Sequence, residues 1–253
     1  MNIMIVKKQM KKVKELSSEI LEEGFRKLNI SYNNNCLERF EKYKDILKEW
    51  NKKINITAIE NDEEIYIKHF LDSVVLLDKN NIDEKKKIID VGTGGGFPGI
   101  PLKILNNNYK VTLLDSLRKR IDFLKVVINE LKLEDVTLIH GRAEDFGQNE
   151  SYRERYDICV SRAVAPLNIL AEYCLPFVRV GGYFAAYKSE SISEEILNSQ
   201  NAITKLGGRI KEIKEIKVPG TEIIRKIVII EKTEKTEKVY PRKAGKPSKE
   251  PLV

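Results

Sequence analysis

Between Asp90 and Pro101 the chain reads DVGTGGGFPGIP, five glycines and two prolines at the end of the apolar stretch KIID. Glycine costs backbone entropy, so such a run points to a ligand that needs bare backbone nearby. Asp115 closes a second apolar stretch, YKVTLLD, 23 residues after Gly92. An acid at that place in an open α/β sheet reaches the two hydroxyls of a ribose. The pair predicts an adenosine-type ligand lying against the loop's N–H groups and the N-terminus of the helix that follows. Two registers compete. Gly94 to Gly99 satisfies G-x-G-x-x-G, which favours a nicotinamide dinucleotide. Asp90, Gly92, Gly94 and Gly96 form D-x-G-x-G-x-G, and an Asp90 pointing into the cleft would repel a pyrophosphate. That acid suits the cationic amino-acid end of S-adenosylmethionine. No G-K-[ST] follows, which excludes a P-loop. A tight strand–helix turn with no ligand is the bland alternative.

Further residues fall around the same cleft. Ala143 and Glu144, in GRAEDF, follow the third strand, where an adenine ring would lie, with Glu144 bonding its edge or serving only to cap a helix. Phe97 either covers the ligand or packs in the core. Arg162, in YDICVSRAVAPL, is placed to touch the ligand or an incoming nucleotide, or to form a salt bridge at the rim. The turn after that strand lacks the N-P-P-aromatic pattern of amino-group methylation. Cys159 and Cys174 sit in apolar surroundings and read as packed core thiols rather than nucleophiles. The acceptor that needs no activation is a ring nitrogen with a free lone pair, such as guanine N7. Alignment of donor and acceptor then carries the catalysis, without a general base.

The elements that must position these residues follow from periodicity. Residues 5–79 read as helical: Lys7–Lys27, then Cys36–Trp50, a loop NKKINITAIEND, and Ile65–Leu77 carrying His69 and Asp72, which border the site or only cap and pack their helix. From Lys87 the period changes. KIIDV, YKVTLLD, VTLIH, YDICVS and GGYFAAYK read as strands alternating with helices, one of them capped by Ser116. RIKEIKEIKV and EIIRKIVIIEK read as a closing hairpin. The expectation is an α/β, Rossmann-like class I methyltransferase fold. It has a seven-stranded, mostly parallel sheet and an N-terminal helical extension. The divisions are 1–80 for the extension, 81–233 for the methyltransferase domain and 234–253 for a polar, extended, basic tail.

Composition limits the partners. Hydrophobic residues make up 42% and charged residues 33% of 253 residues, as in a globular domain. Three widely spaced cysteines and two histidines give neither a disulfide framework nor a metal-ligand spacing. No secretory signal and no long apolar span is read, so a cytoplasmic location is expected. The net charge of +7 divides into +3 over residues 1–20 and +4 over residues 232–253. Basic ends on a neutral middle fit arms near a polyanion, or tails that merely solubilise.

DVGTGGGFPGIPLKI, LLDSLRKRIDFL, HGRAEDF, SRAVAPL and YPRKAGKPSKEPL resemble the RsmG family, the small-subunit ribosomal RNA guanine-N7 methyltransferases also called glucose-inhibited division protein B. LKEWNKKINITAI and IKHFLDSVVLL match that family's helical segments. The resemblance runs from about Leu37 to Leu252. It implies methyl transfer from S-adenosylmethionine to N7 of one guanine in the 16S decoding-region loop, by a cytoplasmic monomer acting on 16S rRNA or the small subunit. It places ligand contacts at Gly92, Phe97, Ala143, Glu144 and Arg162, with Asp115 at the ribose. Lys188, Arg242, Lys243, Lys246 and Lys249 become candidate RNA contacts.

Overall fold

The computed structural model describes residues 19–77, 85–162, 164–189 and 192–252. The basic N-terminal residues, the first part of the Lys7–Lys27 helix and most of the expected boundary segment lie outside them. Helix α1 spans 19–27 and α2 spans Asn34–Ile54. Asn33 caps α2, its side chain accepting from the Cys36 amide, and Asn55 ends it in a left-handed conformation at φ 47°. Next come α3 (Asp62–Glu64), a π-helical stretch (Ile65–Leu71) and α4 (Asp72–Val74), so the expected helix starts and ends three residues early and is wound wider in its middle.

Seven strands follow: β1 (Lys87–Val91), β2 (Lys110–Asp115), β3 (Val136–His140), β4 (Tyr156–Arg162), β5 (Val178–Lys188), β6 (Gly208–Lys217) and β7 (Ile224–Lys232). Between them lie α5 (Gly99–Leu105), α6 (Arg118–Glu130), α7 (Ala143–Gln148), α8 (Leu167–Cys174) and α9 (Ser193–Lys205). The sheet order is β3-β2-β1-β4-β5-β7-β6, parallel except for β7, which runs antiparallel to both neighbours. The order reverses between β1 and β4, and ligands of such sheets sit beyond the strand carboxyl ends at that point.

Both faces of the sheet are buried. Ile88, Leu113, Val160, Ala185 and Ile227 join one core with the N-terminal helices, α5 and α6. Their immediate neighbours Ile89, Leu114, Cys159, Ala186 and Val228 join a second core with α8 and α9. Period-two geometry sends successive side chains to opposite faces, which is why these strands read as continuous apolar runs rather than alternating ones. Cys159 and Cys174 are fully buried in the second core, and burial pushes the Cys159 thiol well up. They are packing residues, as expected. The N-terminal helices share their core with the sheet, and Phe40, Tyr43 and Phe70 each bury completely there.

Three local expectations are corrected. Ser116 does not cap α6; Leu117 occupies that place, and its N–H donates to Asp115 Oδ1 at 2.9 Å. GRAEDF, expected as a loop after the third strand, is not all loop, because α7 begins at Ala143. The tail is not extended and free. It folds back, forms a last helix α10 (Lys246–Lys249), and Arg153 donates to the carbonyls of Thr236, Glu237 and Tyr240 at 2.7–3.0 Å.

Candidate active site

Two cavities open beyond the strand ends. A smaller one of about 270 Å³ is lined by Gly92, Asp115, Ala143, Glu144, Tyr173 and Ser248, among others. A larger one of about 1010 Å³ is lined by Lys68, His69, Asp72, Arg162, Lys188 and Arg225, among others. Ala165 and Ile169 belong to both walls, so the cavities adjoin.

The glycine loop shapes the smaller cavity by conformation, not by presenting donors. Gly92 has φ +70°, and a Cβ there would lie 2.6 Å from Val164 Cγ2. Most of the loop's amides are already spent within the protein. Gly92 and Thr93 donate to the Leu114 carbonyl, Gly96 and Phe97 to that of Thr93, Gly94 to Asp115 Oδ2 and Gly99 to Asp90 Oδ2. The expected cradle of loop amides is therefore corrected. A pyrophosphate would find them occupied and two carboxylates beside them, which argues against the dinucleotide register.

Asp90 is corrected too. It does not line the smaller cavity but is wholly buried, with Oδ2 accepting from Thr93 Oγ1 at 2.7 Å and from the Gly99 amide at 2.8 Å. Its Oδ1 is the one buried side-chain polar atom among the described residues with no hydrogen-bond partner. Burial raises its pKa to about 7. Gly94 and Gly96, at φ +59° and +92°, lie in the same loop without lining the smaller cavity.

Asp115 sits where the sequence puts it, at the end of β2 and almost fully buried. It holds the loop through Gly94, receives Arg120 Nη1 at 3.3 Å, and forms part of the cavity wall. With Leu117 N–H on Oδ1, three of its roughly four lone-pair sites are taken, and the one that remains, on Oδ1, can accept from a ribose hydroxyl. An acid at the ribose position, a wall of bare backbone and a lining whose one cation is Arg142 fit S-adenosylmethionine.

Phe97 packs rather than covers a ligand. It stacks on Tyr43 (centroids 5.5 Å) and on His69 (4.5 Å, 7° between planes), and the Tyr43 hydroxyl donates to the Gly95 carbonyl. The N-terminal helices thus clamp the loop.

Arg162 lies in the larger cavity, donating to Asp72 Oδ2 at 2.8 Å and to the Lys68 carbonyl at 3.2 Å. Arg225 grips the same carboxylate through Nε to Oδ1 (2.6 Å) and Nη2 to Oδ2 (3.0 Å). His69 Nδ1 lies 3.4 Å from Arg162 Nη2 and Nε2 lies 2.8 Å from Thr57 Oγ1. A guanidinium only donates, so Nδ1 accepts and Nε2–H donates to Thr57. Burial, then the Arg162 charge, lower the His69 pKa to about 3, so it stays neutral. The sequence left His69 and Asp72 between bordering the site and merely packing their helix; both line the larger cavity. It missed Arg225, whose surroundings IIRK carry no motif.

The basic candidates divide. Lys188 Nζ bonds the Ala165 carbonyl (2.8 Å) and Glu195. Arg242 is corrected as a phosphate grip, because its guanidinium and backbone N–H are committed to Glu172, which is 1% exposed. Lys243, Lys246 and Lys249 are exposed. Glu144 is corrected in part: its Oε1 accepts from the Gly245 amide at 2.8 Å, so this acid holds the tail.

A doubly wound sheet with this strand order, an acid at the end of β2 and a loop satisfied from within define a class I methyltransferase. Of solved structures, one described as a predicted O-methyltransferase from Agrobacterium tumefaciens shares the fold, with TM-score 0.50, 18% identity and coverage of 66% of this chain and 81% of that one. The particular family follows from the sequence. The profile described as rRNA small subunit methyltransferase G matches residues 36–227. A ribosomal RNA small subunit methyltransferase G from Alkaliphilus metalliredigens is 53% identical over 93% of this chain and 99% of its own. One from Thermoanaerobacter sp. is 52% identical over 95% and 100%. The chain belongs to the rRNA small subunit methyltransferase G family.

Proposed function

We propose that the smaller cavity holds S-adenosylmethionine and the larger one receives a guanosine of 16S rRNA, whose N7 takes the methyl group. The chain is an S-adenosylmethionine-dependent methyltransferase of small-subunit ribosomal RNA. Bound there, the cofactor supplies an electrophilic sulfonium methyl. Gly92, Asp115, Ala143 and the backbone at Glu144 hold it, and the loop clamp at Phe97 fixes where it lies. The observation that carries this reading is the adjoining pair of cavities, one phosphate-averse and one lined by arginine and lysine.

A purine N7 has its lone pair free, so no proton leaves in the transfer. The carboxylates beside the arginines are engaged accordingly: Asp72 by Arg162 and Arg225, Glu195 by Lys188 and the Leu167 amide. Arg162 and Arg225 against one Asp72 leave one net positive charge in the wall, which suits a nucleotide's phosphate or carbonyl oxygens. Orientation is the contribution asked of the protein, and it supplies up to about 7–11 kcal/mol in favourable intramolecular reactions.

In this reading residues 81–233 carry most of the donor site and supply Arg162, Lys188 and Arg225 to the acceptor site, whose wall Lys68, His69 and Asp72 of the N-terminal helices complete. The chain acts as a cytoplasmic monomer; among the described residues no helix is long and apolar enough to cross a membrane. Transfer of labelled methyl to ribosomal RNA from cells lacking the enzyme, followed by mapping of 7-methylguanosine, tests the proposal. Label at an amino group, a carbon or a ribose would overturn it.

A further inference from the structure

The tail was expected to meet RNA, yet its hydrogen bonds to buried acids face inward. Three anchors hold it. Arg242 donates through Nε and Nη2 to Glu172 at 2.6–3.2 Å, and its backbone N–H adds a bond at 2.8 Å. Gly245 N–H donates to Glu144 at 2.8 Å. Asn168 Nδ2 donates to the Leu252 carbonyl at 3.2 Å. Glu144 and Glu172 are 4% and 1% exposed, so both are buried acids whose partners come from the tail.

These anchors carry the segment across both openings. Ser248, on α10, forms part of the smaller cavity's wall together with Tyr173. Pro251, three residues on, forms part of the larger cavity's wall. Lys243, Lys246 and Lys249 meanwhile face solvent. Among the described residues Lys246 pairs with exposed Glu250 at 3.5 Å, a contact worth little at the surface.

We propose that residues 242–252 are a wall of the donor site, and that Glu172 is the positioning residue that holds this wall in place. The inference rests on the assignment of the smaller cavity to S-adenosylmethionine. Its physical content is enclosure. The adenosyl group would be covered on one side by β-strand ends and on the other by a strap. The strap depends on a buried bidentate ion pair 70 residues apart in sequence. Removing one partner of such a pair leaves the other charge buried and unmet, so the strap would leave its seat rather than shift slightly. Because the same segment turns its lysines outward, donor enclosure and RNA contact fall on opposite sides of one short stretch of chain.

The test separates those sides. Calorimetry with S-adenosylmethionine is run on the parent, on a chain ending after Pro241, on Glu172→Ala, and on a Lys243→Ala, Lys246→Ala, Lys249→Ala triple variant. The truncated chain and Glu172→Ala are expected to bind the donor at least tenfold more weakly. Glu172→Ala, which lines neither cavity, should raise the KM for the donor by more than the KM for RNA, since Pro251 and the outward lysines move with the strap. The triple variant should keep donor affinity within twofold and bind RNA more weakly. Hydrogen exchange on the intact parent guards against variants that do not fold. The donor should slow exchange at the amides of Gly245, Lys246, Ser248 and Lys249. A folded truncated chain that binds the donor like the parent, or an unchanged exchange pattern at 245–249, overturns the proposal while leaving the donor-site assignment intact. A parent that binds no donor overturns both.

Discussion

The two cavities differ in how they are built. The smaller is lined mostly by turns that follow β1, β2 and β3, each a few residues long. Most of its loop amides are satisfied by Leu114, Thr93, Asp90 and Asp115 before any ligand arrives. The larger draws on four distant parts: Lys68, His69 and Asp72 from the N-terminal helices, Arg162 from β4, Lys188 from β5 and Arg225 from β7. Arg162 and Arg225 share the Asp72 carboxylate, Lys188 pairs with Glu195, and the four cations of the lining exceed its three acids by one. A site made of satisfied backbone selects by shape and tolerates salt. A site made of clustered guanidinium and ammonium groups selects by charge and weakens as ions screen it.

Substitutions can break that contrast. The largest effect is expected from Gly92→Val, since a β-branched residue at φ +70° carries about 1–3 kcal/mol of strain and its Cβ would collide with Val164. Donor affinity should fall by roughly 100-fold by calorimetry, with RNA affinity nearly kept; a donor affinity like the parent's would remove the smaller cavity from consideration. Asp72→Asn should do the converse. It leaves Arg162 and Arg225 without their common anion and should lower kcat/KM for RNA by about tenfold or more. Donor affinity should stay within twofold, with thermal melting checking that the chain folds.

Salt gives a third, milder separation. Between 50 and 200 mM salt, RNA binding should weaken by on the order of tenfold, and donor binding hardly at all. Equal slopes for the two ligands would mean that the cavities do not divide the charge as described.

The last effect is on stability rather than on binding. Asp90 has a pKa of about 7 in the fold against an ordinary 3.8. Between these values the native state binds the proton that the unfolded chain has released. Unfolding free energy should therefore fall as pH rises from about 4 to 7. Asp90→Asn, which still accepts from Thr93 and Gly99, should flatten that decline in denaturant titrations at several pH values. A decline as steep as the parent's would mean that Asp90 is ionised throughout.

Much of the smaller cavity was legible because its parts are local. A strand, five glycines and an acid at the next strand's end are adjacent in sequence and adjacent in a parallel sheet. Asp115, Gly92 and Ala143 all fall where spacing put them. Asp90 was misjudged because burial, not position along the strand, decides whether a carboxylate faces a ligand. Phe97 was left open between two roles, and only Tyr43 and His69, 54 and 28 residues earlier, settle it as packing.

Periodicity and turn chemistry, which act over a few residues, determined the order of strands and helices, the glycine loop, the acid beside it and the buried cysteines. The fold alone decided that Asp72 joins Arg162 and Arg225 across 90 and 153 positions, and that Glu144 and Glu172 seize the tail. The physical reason is that an ion pair depends on distance in space. A lone arginine in IIRK or a proline-rich tail looks the same in sequence whether it meets solvent, a phosphate or a buried carboxylate.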